Sequence, residues 1–161
     1  MKKVIILLLA VCFVFCGCNK SCSNPKLNSI SFNALIKCDK SNFKADVSID
    51  EKGIIYAIVT EPERIKKLSF TVNDNEITTE YMGLSMTAGK SEISSCFSLL
   101  KKVFNDIKDK RLSSNNSNPI IKDEVNGVNY KFTFSPDGLP LNIEFDDYNI
   151  RIVFSNIKTS P

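Results

Sequence analysis

The sequence predicts an α+β domain in which a curved antiparallel sheet, an incomplete β-barrel of about nine or ten strands, packs on one long amphipathic helix. Three observations predict it. From residue 29 onward, apolar and polar residues alternate in short runs separated by turn-forming residues, the period of half-buried antiparallel strands. Only the segment from Ile93 to Ile107 switches clearly to helical spacing. Behind the export signal and tether, roughly 135 residues remain, which suits one domain around one core.

The N-terminus reads as a tripartite secretory signal over residues 1–17. Lys2 and Lys3 form a positive start, Val4 to Phe15 is an unbroken apolar run, and Gly17 and Cys18 follow. The run is too short to cross the roughly 30 Å hydrocarbon core of a bilayer comfortably. Phe15-Cys16-Gly17-Cys18 resembles the bacterial lipobox, which implies a diacylglycerol thioether on Cys18 and cleavage between Gly17 and Cys18. Two acyl chains hold a protein stably on a membrane, at about 0.8 kcal/mol per buried CH₂. A signal cleaved without lipidation and an uncleaved anchor are the competing readings. Residues 18–27, with Asn19-Lys20-Ser21-Cys22-Ser23-Asn24-Pro25, are expected to form a flexible tether, and 28–158 the single β-rich domain. The expected location is the extracytoplasmic face of a bacterial cell membrane.

Within the domain, Phe43, Ala45, Val47 and Ile49 point one way and Lys44, Asp46 and Ser48 the other. Asp50 to Gly53 turns the chain into Ile54 to Thr60, whose apolar residues fall on both faces, so a strand that is central or covered on both sides is expected. Glu61-Pro62-Glu63-Arg64 breaks the sheet. Leu68, Phe70 and Val72 lead into an Asn73-Asp74-Asn75 turn, with Ile77, Thr79 and Tyr81 returning. Met82 to Met86 is a further short strand or an edge crossing. The helix carries Ile93, Cys96, Phe97, Leu100, Val103, Phe104 and Ile107 on one stripe, with Lys101, Lys102, Asp106 and Lys108 expected outside. Ser91 is the expected N-cap. Finally Tyr130 to Phe134, Leu139 to Phe145 and Ile150 to Phe154 make a three-strand meander, with turns at Ser135 to Gly138 and Asp146 to Asn149.

Composition excludes several function classes. The chain has no His and no Trp but 11 Phe. Without His the commonest general base, metal ligand and pH switch are all missing. The net charge of +3 includes Lys2 and Lys3, which leave with the signal, and the remaining charges alternate in sign. Lys108, Lys110 and Arg111 therefore read as a solvated helix end, and no nucleic-acid partner is expected. Of the six cysteines, Cys12 and Cys16 lie in the signal and lipid consumes Cys18. Cys22, Cys38 and Cys96 remain, an odd number that argues against a disulfide framework. Cys38 and Cys96 could pair, but the position of Cys96 on the apolar stripe favours two buried thiols.

Thr133-Phe134-Ser135-Pro136-Asp137-Gly138-Leu139-Pro140-Leu141-Asn142-Ile143-Glu144 resembles the terminal hairpin of the lipoprotein-carrier-like (LolA/LolB-like) superfamily. The order of strands, helix and closing meander is also similar. The resemblance implies an incomplete barrel that wraps around helical structure and encloses an apolar cavity for acyl chains.

No catalytic motif stands out: the chain has no phosphate loop, GxSxG elbow or HExxH. Ser94-Ser95-Cys96 lacks a base to activate it, and Asp146-Asp147 reads as a turn rather than a Ca²⁺ loop. Neither enzyme activity, a cofactor nor a metal is expected. The expected function is a membrane-anchored lipoprotein binding an apolar ligand, a lipid or acyl chain, between sheet and helix. Ile93, Phe97, Leu100 and Phe104 line one wall, with Ile58, Phe70 and Met82 opposite. Met82, Leu84 and Met86 supply adaptable side chains. The alternative is a non-catalytic cell-envelope module that binds protein or cell-wall polymer through the outer sheet face or a free edge.

Overall fold

A computed structural model describes residues 21–159, except 28, 39–40, 75, 88–90 and 115–117. The signal with Gly17, and the lipidation site Cys18, lie outside the described residues. In chain order come β1 (Ser21–Ser23), β2 (Ile30–Cys38), β3 (Ser41–Ile49), β4 (Ile55–Glu61), β5 (Ser69–Val72), β6 (Ile77–Tyr81) and β7 (Leu84–Thr87). The helix α1 (Glu92–Ile107) follows, then β8 (Leu112–Ser114), β9 (Ile120–Val125), β10 (Val128–Phe134), β11 (Pro140–Phe145) and β12 (Ile150–Thr159).

Ten of these strands form one sheet in the order β7-β6-β5-β4-β3-β2-β12-β11-β10-β9, antiparallel throughout. Two meanders meet where the last strand pairs with the first long one, Ile36 opposite Ile152 and Phe154 opposite Ala34. The sheet does not close, because β7 and β9 stand at its two ends. It curves around α1, which touches β5 near one end and β9 at the other. This is the α+β incomplete barrel that the alternation predicted.

The inner face follows the period of two. Ile30, Phe32, Ala34 and Ile36 of β2, Phe43 to Ile49 of β3 at every second residue, and Tyr130, Phe132 and Phe134 of β10 are all buried. The helix supplies the filling. Ser91 caps it: its hydroxyl accepts from the Ser94 amide at 3.1 Å, while the Ser94 hydroxyl accepts from the Ser91 amide at 2.9 Å. This reciprocal pair satisfies two donors that the first turn leaves open. Phe97 lies 6.2 Å from the ring of Phe43 and 5.4 Å from that of Phe70. Phe104 lies 5.7 Å from Phe132 and 6.3 Å from Phe154. Two turns of one helix thus bind rings from both halves of the sheet. Cys38 and Cys96 are buried thiols.

Four expectations change. The strand β4 is interior to the sheet, as one arm of the expectation had it, but only one of its faces is covered. Ile55, Ala57 and Val59 are buried and Tyr56 and Ile58 exposed, because no second layer lies over the convex face among the described residues. Lys101 is not on the outer face of α1 but 5% exposed, since it follows Phe97 by one turn and borders the apolar stripe. Its Nζ donates to the Gly53 carbonyl at 2.6 Å and pairs with Asp74 at 3.2 Å, which ties two hairpin turns to the helix. Gly53 takes φ +74° there, a conformation that disfavours a side chain.

The segment expected as tether is folded from Ser21: β1 pairs with β8, Ser23 opposite Leu112, and Pro25 and Leu27 are buried. The Lys26 amide donates to the Gly138 carbonyl at 2.9 Å. Two apolar side chains in a short polar stretch suffice to pin it. Lastly, β9 joins the C-terminal meander through a hairpin turn at Asn126-Gly127, both at positive φ. That dipeptide is the usual mark of a two-residue turn, and the expected strand list passes over it.

Because Phe104 fastens the helix to the C-terminal half of the sheet through Phe132 and Phe154, Phe104→Ala is expected to lower the unfolding free energy by about 3–5 kcal/mol. Ser91→Ala, which removes only the cap, should cost about 1 kcal/mol. Urea unfolding followed by circular dichroism measures both, and a Phe104 effect no larger than the Ser91 effect would contradict a core centred on the helix.

Candidate apolar ligand site

The predicted wall residues divide into three groups. Phe97 and Leu100 have no exposed surface, and Phe70 and Phe104 have almost none. They meet inside the barrel, with Phe70 against Phe97. Ile93, at the start of the helix, is half-buried and packs against the same core. Ile58 and Met82 do not belong to this wall. Ile58 is on the convex face, and Met82 is 84% exposed in the turn between β6 and β7. The cause for Ile58 is alternation, which sends it away from the helix when Ala57 and Val59 face inward. For Met82 the cause is the turn itself, where Met82 and Gly83 both take positive φ.

Side chains without exposed surface border no space that a water molecule could enter. With α1 seated, an acyl chain has no room beside Phe97 or Leu100. A small void of about 20 Å³ does lie beside Leu27, Ile55, Lys101 and Phe104, room for about one water molecule. Ligand entry between sheet and helix therefore requires the helix to move.

The exposed apolar surface lies elsewhere, chiefly at the free ends of the sheet. Met82, Leu84 and Met86 are all at least 60% exposed on the β6–β7 hairpin, and Ile120 is exposed at the start of β9. The two edges differ in charge. β9 carries Lys122, Asp123 and Glu124, whereas β7 reads Leu84-Ser85-Met86-Thr87 with no charge. Charged residues on an edge strand discourage pairing with other chains or ligands, and an uncharged apolar edge invites it.

A polar cluster fixes the C-terminal end of α1. The Tyr130 phenol donates to Asp106 at 2.6 Å, and the Lys110 ammonium lies 2.7 Å from the same carboxylate and also bonds Asp123. Hydrogen bonds from Lys110 and then Tyr130 hold the Asp106 carboxyl below its ordinary range, and Lys110 does the same for Asp123. Burial, then the Asp106 hydrogen bond, pushes the Tyr130 phenol up. Burial alone would lower Lys110, but the two carboxylates outweigh it and raise it. The group joins helix, β9 and β10, and its Asp123 and Tyr130 border an open groove of about 570 Å³ shared with Lys122, Asn129 and Asp147. Sequence spacing showed Asp106 and Lys110 one turn apart, but gave no sign that Asp123 and Tyr130 would meet them.

On the convex face, an open groove of about 630 Å³ runs over β12, β2, β3 and β4, with Asn33, Asp46, Tyr56, Ile58 and Asn156 along it. The Asn156 amide donates to Asn33 at 2.6 Å, and Asn33 in turn donates to Asp46. Asn156 reaches this row because β12 is irregular between Ser155 and Lys158. Sequence reasoning missed the groove, which depends on register between distant strands. Asp147, weighed as an oxygen ligand, instead accepts from the Asn129 amide at 2.8 Å and holds a turn together. Among the described residues no group of His, Cys, Asp or Glu is placed to hold a metal ion.

Fold and site together describe an incomplete barrel with its apolar interior under a helix and, among the described residues, one uncharged edge strand. A LolA superfamily protein from Nitrosomonas europaea is similar in structure, with a TM-score of 0.41 and 9% identity over 86% of this chain and 89% of that one. No family model matches the chain, and no curated protein matches its sequence.

The polar cluster has a defined pH signature. Asp106 and Asp123 titrate lower when folded, so their stabilisation is complete above the unfolded carboxylate pKa of about 3.9 and is lost as pH falls through the folded values. Lys110 and Tyr130 titrate higher when folded, so their share is complete below about pH 10 and is lost above it. Unfolding free energy from urea titrations should be flat from neutral to mildly acidic pH and fall below about pH 4. Asp106→Asn should reduce that acid slope, and an unchanged slope would place the acid-sensitive group elsewhere.

Proposed function

We propose that the protein is a lipoprotein anchored through Cys18 to the extracytoplasmic face of a bacterial membrane, where it binds an apolar ligand such as a lipid or acyl chain. The ligand enters at the β7 side of the barrel and occupies the space that α1 fills in the empty protein. Phe70, Ile93, Phe97, Leu100 and Phe104 form the interior wall, and Leu84 and Met86 are the lip where the ligand is first met. The observation that carries this reading is the uncharged, exposed Leu84 and Met86 on a free strand edge, at the end of the chain segment that leads into the helix. Methionine and leucine adapt to irregular apolar surfaces, and exposed apolar side chains grouped in this way mark binding surfaces. No catalytic step is assigned: the described polar cluster is structural, and the chain has no His to act as a base.

A second reading has its own support. The convex groove with Asn33, Asp46, Tyr56 and Asn156 suits an envelope partner, protein or cell-wall polymer, held by hydrogen bonds and one aromatic ring. In that case the barrel interior is only a core.

Two measurements test the proposal. Cells fed an alkyne-tagged fatty acid should label the wild-type protein but not Cys18→Ala, which should leave the membrane fraction. Label retained in Cys18→Ala would refute the anchor at that residue. Native mass spectrometry of the soluble chain starting at Lys20, incubated with phospholipid, should show a bound lipid whose occupancy falls at least about tenfold in Leu84→Ser/Met86→Ser, as losing two apolar contacts implies. A clean apo spectrum for the wild type would favour the groove reading.

A further inference from the structure

We infer that the domain rests directly against the bilayer, with Lys26, Lys108 and Arg111 facing anionic lipid headgroups. The inference rests on the proposed anchor at Cys18 and goes beyond it, because it fixes the height and orientation of the domain. The argument begins with chain length. Ser21 already pairs with Ser114, Pro25 and Leu27 are buried, and the Lys26 amide is bonded to Gly138. Counted from the proposed anchor, Cys18, Asn19 and Lys20 come before Ser21, the first paired residue. Three residues reach at most about 11 Å even when fully extended. The β1–β8 pair is therefore held within about a headgroup layer of the acyl chains, where a free ten-residue tether would have let the domain roam.

Charge then selects the surface. β8 is the strand that follows the helix, so the end of α1 is held beside the anchor as well. Lys108 and Arg111 are exposed there, and Lys26 is exposed on the N-terminal segment. Lys108 and Leu27 border the same small void, and Arg111 immediately precedes Leu112, the partner of Ser23. Lys110 is neutralised by Asp106 and Asp123, while exposed Asp109 lies within the cluster and exposed Asp137 flanks Gly138, the partner of the Lys26 amide, against the three cations. The exposed balance near the anchor is positive. At physiological ionic strength the Debye length is about 8 Å, so basic groups held this close feel the surface potential of an anionic leaflet, whereas groups on a long tether would not.

The test uses the full-length protein purified from membranes, with its mass first confirming the diacylglycerol. It is reconstituted into phosphatidylcholine vesicles with and without phosphatidylglycerol, and hydrogen exchange is followed by mass spectrometry. Peptides covering residues 24–27 and 108–112 should exchange at least about threefold more slowly on the anionic vesicles, and high salt should remove the difference. In Lys26→Glu/Lys108→Glu/Arg111→Glu the difference should vanish while the rest of the sheet keeps its protection. Equal exchange on both vesicles for the wild type overturns the inference, whether or not the variant folds. A mass without diacylglycerol overturns the anchor itself. The unacylated chain is then tested by co-sedimentation with the same vesicles, and the basic face still requires salt-sensitive binding to those with phosphatidylglycerol; none would overturn it.

Discussion

The packing of α1 across the concave face joins two meanders that otherwise share only the β2–β12 ladder. Phe97 holds rings from the N-terminal strands, and Phe104 holds rings from the C-terminal ones. Among the described residues the helix supplies most of what buries the inner face of this unclosed sheet, with Leu27 and Leu112 adding to it, and burial of apolar area is what stabilises the curvature. The polar ties follow from that arrangement. Lys101 reaches the Gly53 and Asp74 turns, while Asp106 and Lys110 reach β9 and β10. Each tie orients the helix over one half of the sheet.

The proposed binding of an apolar ligand rests on the same arrangement, because it requires the helix to give way to another apolar occupant and the ties to be weak enough to break. Ion pairs that are a third or more exposed contribute little each, and this describes the Lys110 bridges better than the buried Lys101 contact. The edges differ as well, with charge along β9 and the uncharged, exposed Leu84 and Met86 along β7.

Much of the fold was legible because strand alternation and helix periodicity are local signals. The buried row from Phe43 to Ile49, the Ser91 cap, the helix stripe and the Ser135 to Gly138 turn all follow from neighbouring residues. What was not legible depends on distance along the chain. The exposure of Ile58 depends on the convex face having no covering layer, and the burial of Pro25 and Leu27 on a pairing between Ser23 and Leu112. The groove of Asn33, Asp46 and Asn156 depends on an irregularity in β12. Lys101 was misplaced for a different reason: a long stem allows a lysine to lie along apolar surface while its ammonium finds oxygen, so charge alone is a poor guide to facing. The helix stripe told that Phe97, Leu100 and Phe104 face inward, whereas the outward placement of Ile58 and Met82 depends on sheet register and a turn.

Amide hydrogen exchange of the soluble domain, with and without saturating acyl ligand, tests most directly whether ligand and helix compete for one space. The account predicts that amides of α1 exchange faster with ligand bound, while those of β2, β3 and β12 are unchanged or slower. A ligand that binds and leaves the helix amides as they were, or protects them, would contradict it.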